Sequence, residues 1–534
     1  MTELHDLTIA QASSAIAKRD ISPVDLTRAL IDRITTHDAA IHSFITLTPD
    51  LALRQARDIE REISKGERRS PLSGIPYALK DVYDTAEIPT TGHSKVFLHR
   101  VPKEDAECHR RLKEAGGILI GKLATHEMAH GGPSFDLPWP PARNPWRTSH
   151  FTGGSSSGSA AALAARFVPA TCGTDTGGSI RGPAALCGIS GFMPTAGTIS
   201  RHGVIPNSIT LDRCGPMART VEDCAMLMDV LAEQRPNALH TNLRRDGSYA
   251  SALSPDLNGV RIGVVRSYWE AETQQTPAVV SAIERAITVL QRLGATVADT
   301  SWLPLRDALD VKIGIGQPEI FAVHAEALRR DPMQFGADFR QRVLPACLFT
   351  VEDLRNARQE HQRLQRIAMD AFKRFDVLVT ISQGVAPPLA AHQPIDYWRK
   401  LNAYAPANIS GGPALSVCAG FADGLPIGMQ IIGKPYEDRD VLRVGHAFQQ
   451  VTDWHSPSPW LSKGATTENR PFAHGLPDNN PRPEPALSSR CEQAALRAGL
   501  TVNDEVLYAL CRAAPYVSEI SKRLIERQSL QTLG

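Results

Sequence analysis

Gly153-Gly154-Ser155-Ser156-Ser157-Gly158-Ser159 and, after a run of alanines, Gly173-Thr174-Asp175-Thr176-Gly177-Gly178-Ser179-Ile180-Arg181-Gly182-Pro183 decide how this chain is read. Two glycine–serine turns stand close together, joined by small apolar residues. Glycine permits backbone with positive φ and close approach to a ligand. A serine on such a turn points its hydroxyl into a cleft with backbone N–H groups beside it, the layout of a nucleophile with an oxyanion hole. Gly154-Ser155-Ser156-Ser157-Gly158 also spells the G-x-S-x-G elbow, which needs a strand immediately before it. Arg147-Thr148-Ser149-His150-Phe151-Thr152 is poor strand material. A phosphate loop is a weaker fit, since no Gly-Lys-Ser/Thr follows.

Upstream, Ile75 to Leu79 is a short apolar run bounded by turn residues, so it predicts a buried strand that carries Lys80 inward. By itself a strand-end lysine reaches solvent more often than not. Residues 5 to 65 read as helices, one starting at Ser22-Pro23 with a capping serine and proline at the first helical position. Another runs from about Asp50 to Lys65. Gly117 to Gly121 reads as a strand followed by a polar turn. There His126-Glu127-Met128-Ala129-His130 spells His-Glu-x-x-His, the letters of a zinc protease helix. Gly131-Gly132-Pro133 stops any helix there, and no third ligand stands out. A zinc hydrolase on His126 and His130 is retained as a rival.

Downstream, residues 220 to 234 and 276 to 293 read as amphipathic helices around the strand Val260 to Val265, and 317 to 376 as mostly helical. Asp376 to Thr380 and Ala414 to Val417 read as core strands. From about Asn469 the prolines Pro471, Pro477, Pro481, Pro483 and Pro485 predict a stiff extended linker. Helices follow at Ser488 to Ala498, Asn503 to Ala514 and 516 to 528, with Pro515 dividing the last two. Leu507, Leu510, Val517, Ile520 and Leu524 form an apolar stripe. So short a bundle lacks a core of its own and is expected to dock on the main body or on a second subunit.

The whole chain, 534 residues with 58 basic and 57 acidic side chains, suits one large α/β core with an appendage and gives no electrostatic case for nucleic acid or membrane. Nine scattered cysteines without a CxxC pair point to reduced thiols in a cytoplasm. The start has no signal-peptide pattern, and no apolar run reaches about 18 residues.

The two serine turns, with Gly191-Phe192-Met193-Pro194-Thr195, Leu211 to Met217 and Gly424 to Gln430, resemble the amidase signature family over most of residues 1 to 465. Phe192-Met193 departs from the family's usual Leu-Lys, at a structural strand. The resemblance implies a large mixed, twisted β-sheet covered by helices on both faces. Residues 1–465 are then the catalytic domain, 466–487 a linker and 488–534 a small helical extension. The extension loosely resembles the helical partner subunits of some signature amidases, such as carboxybiuret hydrolase. The resemblance also implies a Ser–cis-Ser–Lys triad, with Ser179 as nucleophile, Ser155 as bridging serine after a cis peptide bond and Lys80 as base. Backbone N–H groups of Thr176, Gly177, Gly178 and Ser179 would form the oxyanion hole. Burial would lower the lysine pKa and supply the neutral amine that a base requires.

Asp175 and Arg181 are expected to brace the turn, and Asp212 to be structural. Met128, Phe135, Tyr404 and Ile199 are candidate pocket lining, with a core role the plainer reading for each. The expected activity is cleavage of a C–N bond in a small amide, anilide, carbamate or ureide, without cofactor, by a cytoplasmic homo-oligomer, a dimer. The alternative is the glutaminase-type component of a tRNA-dependent amidotransferase. Such components place an aspartate before the Asn-x-x-Gly-x-Pro-Ala segment, whereas Leu401 to Asn408 holds no acid. Deleting residues 470 to 534 is expected to alter oligomerisation or solubility more than chemistry.

Overall fold

The computed structural model describes residues 3–232, 247–467 and 484–532. Most of the proline-rich linker therefore lies outside the described residues, as does the end of the helix read over 220 to 234. Eleven strands form one mixed sheet flanked by helices: β1 (Phe44–Leu47), β2 (Pro76–Lys80), β3 (Ile118–Leu123), β4 (Ala170–Asp175), β5 (Ser190–Met193), β6 (Arg213–Ala218), β7 (Arg261–Val264), β8 (Thr296–Asp299), β9 (Val377–Gln383), β10 (Ala414–Ala422) and β11 (Leu425–Gly433). Their spatial order is β1-β3-β2-β4-β6-β5-β10-β11-β9-β7-β8.

The decisive part is the parallel trio β3-β2-β4. Every residue of β2 is buried, as expected of a strand covered on both faces, which reads as a continuous apolar run. Leu79 lies opposite Cys172, so the carboxyl ends of β2 and β4 finish side by side. That is where ligands sit in open α/β sheets. Helix α1 (Ser157–Ala164) starts just after the first serine turn and α2 (Arg181–Cys187) just after the second.

Ser22 caps its helix by accepting from the N–H of Val24 at 3.0 Å and of Asp25 at 3.3 Å. One element inside the segment read as helical is a strand instead. Phe44-Ile45-Thr46-Leu47, rich in β-preferring residues, pairs antiparallel with β3 and closes that edge of the sheet.

The C-terminal extension also differs from expectation. Helix α5 (Pro485–Arg497) starts inside the span assigned to the linker. Helix α6 (Asp504–Thr532) is continuous, with Pro515 inside it. A proline within a helix removes one hydrogen bond and costs about 3 kcal/mol. Burial of Ala513, Val517, Ile520 and Leu524 to either side of it offsets that cost. These side chains share an apolar cluster with Leu309 and Ile313 of helix α3 (Leu305–Arg330) and with Ala357 and Leu364 of helix α4 (Val351–Ala371). The extension thus docks on the main body.

It is fastened by charge as well. Arg523 donates to both carboxylate oxygens of the fully buried Asp310, at 2.7 and 2.8 Å, and Arg527 reaches the same side chain at 3.0 Å. Removing the partner of a buried carboxylate costs about 3–5 kcal/mol. Replacing both arginines by alanine is therefore expected to lower the urea midpoint sharply, and an unchanged midpoint would show that the extension is not clamped to α3. Truncation likewise uncovers apolar core, so its effect is expected to reach the catalytic body as well as association.

Candidate active site

The Gly154–Ser155 peptide bond is cis. A Cβ on Gly154 would lie 2.0 Å from the His126 ring, so only glycine fits before the serine. Ser155 is buried, and its Oγ lies 2.7 Å from Lys80 Nζ. The same amine lies 2.8 Å from Thr174 Oγ1 at the end of β4. Nothing in the sequence marks Thr174 as a site residue; it comes beside Lys80 because β2 and β4 run parallel and end together. The two serine turns are joined by the Ser156 N–H, which donates to the Ser179 carbonyl at 3.3 Å. Ser179 itself is half-buried at the wall of a cavity.

Lys80 is fully buried and has only hydroxyls as partners. Burial pushes its pKa down to about 7, against the pull of Asp212, Asp175 and Cys214. The neighbouring buried lysine is handled differently. Lys122 on β3 sits 3.1 Å from the Asp81 carboxylate and donates to Thr90 Oγ1 at 2.6 Å. Of the two, only Lys80 has been left without a carboxylate contact and with a serine hydroxyl in reach.

The second turn is shaped by Asp175, as the brace reading expects. Its carboxylate accepts from the N–H of Gly178 at 2.8 Å and of Ile180 at 3.1 Å, and from Arg181 Nε and Nη2 at 3.0 Å each. Arg181 continues to Gln430 Oε1 at 2.6 Å and to the Tyr404 carbonyl at 3.1 Å. These bonds outweigh burial and hold the Asp175 carboxyl well below the usual carboxylate range. Gly178 has φ +117°, and a Cβ there would strike the Tyr404 ring at 2.6 Å. The four backbone N–H groups expected at the oxyanion hole differ in their partners. The Gly178 N–H is spent on Asp175, whereas those of Thr176, Gly177 and Ser179 have no protein acceptor among the described residues. Asp212 accepts from Thr176 Oγ1 at 2.6 Å and from the Asn207 N–H at 2.8 Å, which fixes the start of the turn.

The cavity beside Ser179 is lined by His130, Thr176, Gly177, Asn207, Lys312 and Tyr397 among others. Met128, Phe135, Tyr404 and Ile199 are buried and do not line it, in keeping with core roles. Tyr404 backs the Ser179 turn, and its hydroxyl donates to Gln383 Oε1 at 3.2 Å. Lys312, Tyr397 and Asn207 escaped the sequence reading. The available signal was a lysine inside Val311-Lys312-Ile313-Gly314-Ile315-Gly316, a run otherwise free of polar side chains.

The zinc rival fails on geometry. Glu127–Ala129 forms a single 3-10 turn, and Met128 and Ala129 have φ of 49° and 57°, so the two histidines do not share a helix face. His126 Nδ1 pairs with the Gly131 carbonyl at 2.7 Å, and His130 Nδ1 with Asn207 Oδ1 at 3.2 Å. Glu127 accepts from Ser94 Oγ at 2.5 Å and from the Gly336 N–H at 2.7 Å. Among the described residues no group of three or more His, Cys, Asp or Glu could hold a metal ion. All nine cysteines are free, and no helix among the described residues is long and apolar enough to cross a membrane.

Residues 25–442 match the Amidase family, and the chain belongs to it, a family of hydrolases acting on C–N bonds. The A subunit of glutamyl-tRNA(Gln) amidotransferase from Chloroflexus aggregans is 39% identical over 489 residues, covering 87% of this chain and all of that protein. Among solved structures, peptide amidase from Stenotrophomonas maltophilia superposes with a TM-score of 0.73 at 29% identity, covering 83% of this chain and 96% of that one. The A subunit of glutamyl-tRNA(Gln) amidotransferase from Thermotoga maritima gives 0.72 at 26% identity, with 86% and 99% covered.

Proposed function

We propose that the chain hydrolyses the C–N bond of a small amide, anilide, carbamate or ureide through an acyl-enzyme on Ser179. The single observation that supports this most is the buried amine of Lys80, with a pKa near neutrality, in hydrogen-bond contact with Ser155. As the free amine, Lys80 offers its lone pair to the Ser155 hydroxyl while one N–H donates to Thr174 Oγ1. A hydroxyl can donate to one partner and accept from another. Ser155 thus passes a proton to Lys80 as it takes one from Ser179 Oγ, which attacks the substrate carbonyl. The N–H groups of Thr176, Gly177 and Ser179 receive the charge that develops on the carbonyl oxygen. Lys80 then returns its proton through Ser155 to the departing nitrogen, the C–N bond breaks and an ester remains on Ser179. Water repeats the sequence on that ester, releasing the acid and restoring the hydroxyl.

A second reading, the glutamine-hydrolysing component of an amidotransferase, shares these steps. It has the curated relatives on its side, which match along their full length. On that reading the chain works with partner subunits and a tRNA-borne substrate, so partners limited to a small molecule remain a proposal. Against it stands the charge around the cavity. Free glutamine brings an ammonium that needs an uncommitted carboxylate. Asp338 is held by Arg342 at 2.7 Å and by His392 at 2.6 Å, Asp175 by Arg181 and Asp212 by Thr176. We therefore favour an amidase whose substrate lacks that ammonium. Ammonia release measured on glutamine and on a panel of simple amides separates the two. Faster turnover of the panel is expected, and glutamine as the preferred substrate would install the second reading.

A further inference from the structure

We infer that Lys312 is the substrate-binding residue that sets specificity at this site, accepting an anionic group, a carboxylate first of all, carried close to the scissile carbonyl. The inference rests on the hydrolase reading above and names its substrate class. Lys312 projects from α3 onto the loop that carries the nucleophile. A Cβ placed on Gly177 would be 2.4 Å from Lys312 Cε and 3.1 Å from its Nζ. Gly177 precedes Ser179 by two residues, a span of at most about 7 Å. Lys312 and Ser179 line the same cavity. A ligand reaching both is therefore short.

The ammonium has no counterion. Among the described residues Lys312 makes no hydrogen bond or ion pair, and its one close partner is the face of the Tyr397 ring, 4.5 Å from Nζ. Ring faces attract cations but do not neutralise them. The groups around it do not supply the missing charge. Arg342, 5.1 Å from the same ring, adds a second cation and is matched by Asp338 alone. His130 is neutral: burial and the cations of Arg342 and Lys312 push its pKa down to about 3, its Nδ1–H donates to Asn207, and Nε2 accepts from Gln317 at 3.2 Å. Asp175 lies behind the loop, committed to Arg181. Lys312 is half-buried, so water meets its charge only in part and the ammonium stays open to a ligand anion.

Space is available where the anion would sit. Gly316, one turn beyond Lys312 on the same face of α3, also lines the cavity, and a Cβ there would meet nothing within 4 Å. The helix behind is fixed by the bonds of Asp310 to Arg523 and Arg527, so Lys312 is presented from a rigid support.

The test uses the full chain and a neutral fluorophosphonate that labels the nucleophilic serine. Malonate, succinate and glutarate are compared with malonamide, succinamide and glutaramide for their ability to slow labelling. In the wild type at least one dicarboxylate is expected to protect about 10–100-fold better than its diamide, the range of one hydrogen bond to a charged group. In Lys312→Met, with protection expressed relative to that variant's own unprotected labelling rate, the preference should vanish while the diamides still protect. Lys312→Arg should keep part of it. Equal protection by the two series in the wild type, or an undiminished preference in Lys312→Met, would overturn the inference and leave the hydrolase reading standing. Failure of Ser179 to label at all would remove that reading, and with it the inference.

Discussion

Ser179→Ala is expected to lower amide turnover by at least about 10⁴-fold, because the acyl-enzyme cannot form and only oxyanion binding and positioning remain. The fold should be spared. Ser179 is half-buried and its hydroxyl makes no hydrogen bond to protein among the described residues, so stability should stay within about 0.5 kcal/mol of wild type. Steady-state release of amine, with a thermal melt beside it, checks both halves. Residual turnover within tenfold of wild type would move the nucleophile to another serine of the first turn, with Ser156 and Ser157 the nearest choices.

The second large effect belongs to Lys80. Loss of a positioned general base costs about 10²–10⁴-fold, so Lys80→Ala should slow acylation by that much or more. Lys80→Arg should fare no better despite its length, since a guanidinium stays protonated and has no lone pair to offer. Rate constants for fluorophosphonate labelling of Ser179 report activation of the serine hydroxyl, separately from expulsion of an amine. An arginine variant that labels as fast as wild type would rule out proton abstraction at this position.

The central strands and both serine turns are legible in the sequence because their information is local. Ile75 to Leu79 is apolar without a break and bounded by turn residues, and most of it becomes a fully buried strand. Ser22 before Pro23 marks a helix start that the backbone confirms. Strand β2 carries Lys80 inward, although a strand-end lysine by itself more often reaches solvent. The features that were missed are mostly long-range. Lys312 reaches the site from a helix far along the chain, and nothing near it in sequence announces Gly177 or Tyr397 as its neighbours. The bond from the Gly178 N–H to Asp175 is local, three residues apart, but it depends on how the turn folds and not on the letters alone. Pro515 suggested a break by its backbone chemistry, and the apolar face of α6 overrode it.

The pH dependence of acylation probes the proton relay most directly. A base whose pKa is lowered by burial to about 7 is charged and idle below that pH and free above it, so activity must rise as pH increases. The single-turnover rate of Ser179 acylation by a neutral amide, followed from pH 5.5 to 9, should climb about tenfold per unit on the acid side and level off above roughly pH 7. Lys80→Ala should lose that inflection along with its rate. A wild-type profile that is flat across the range, or one whose inflection survives unchanged in Lys80→Ala, would contradict Lys80 as the group that takes the proton.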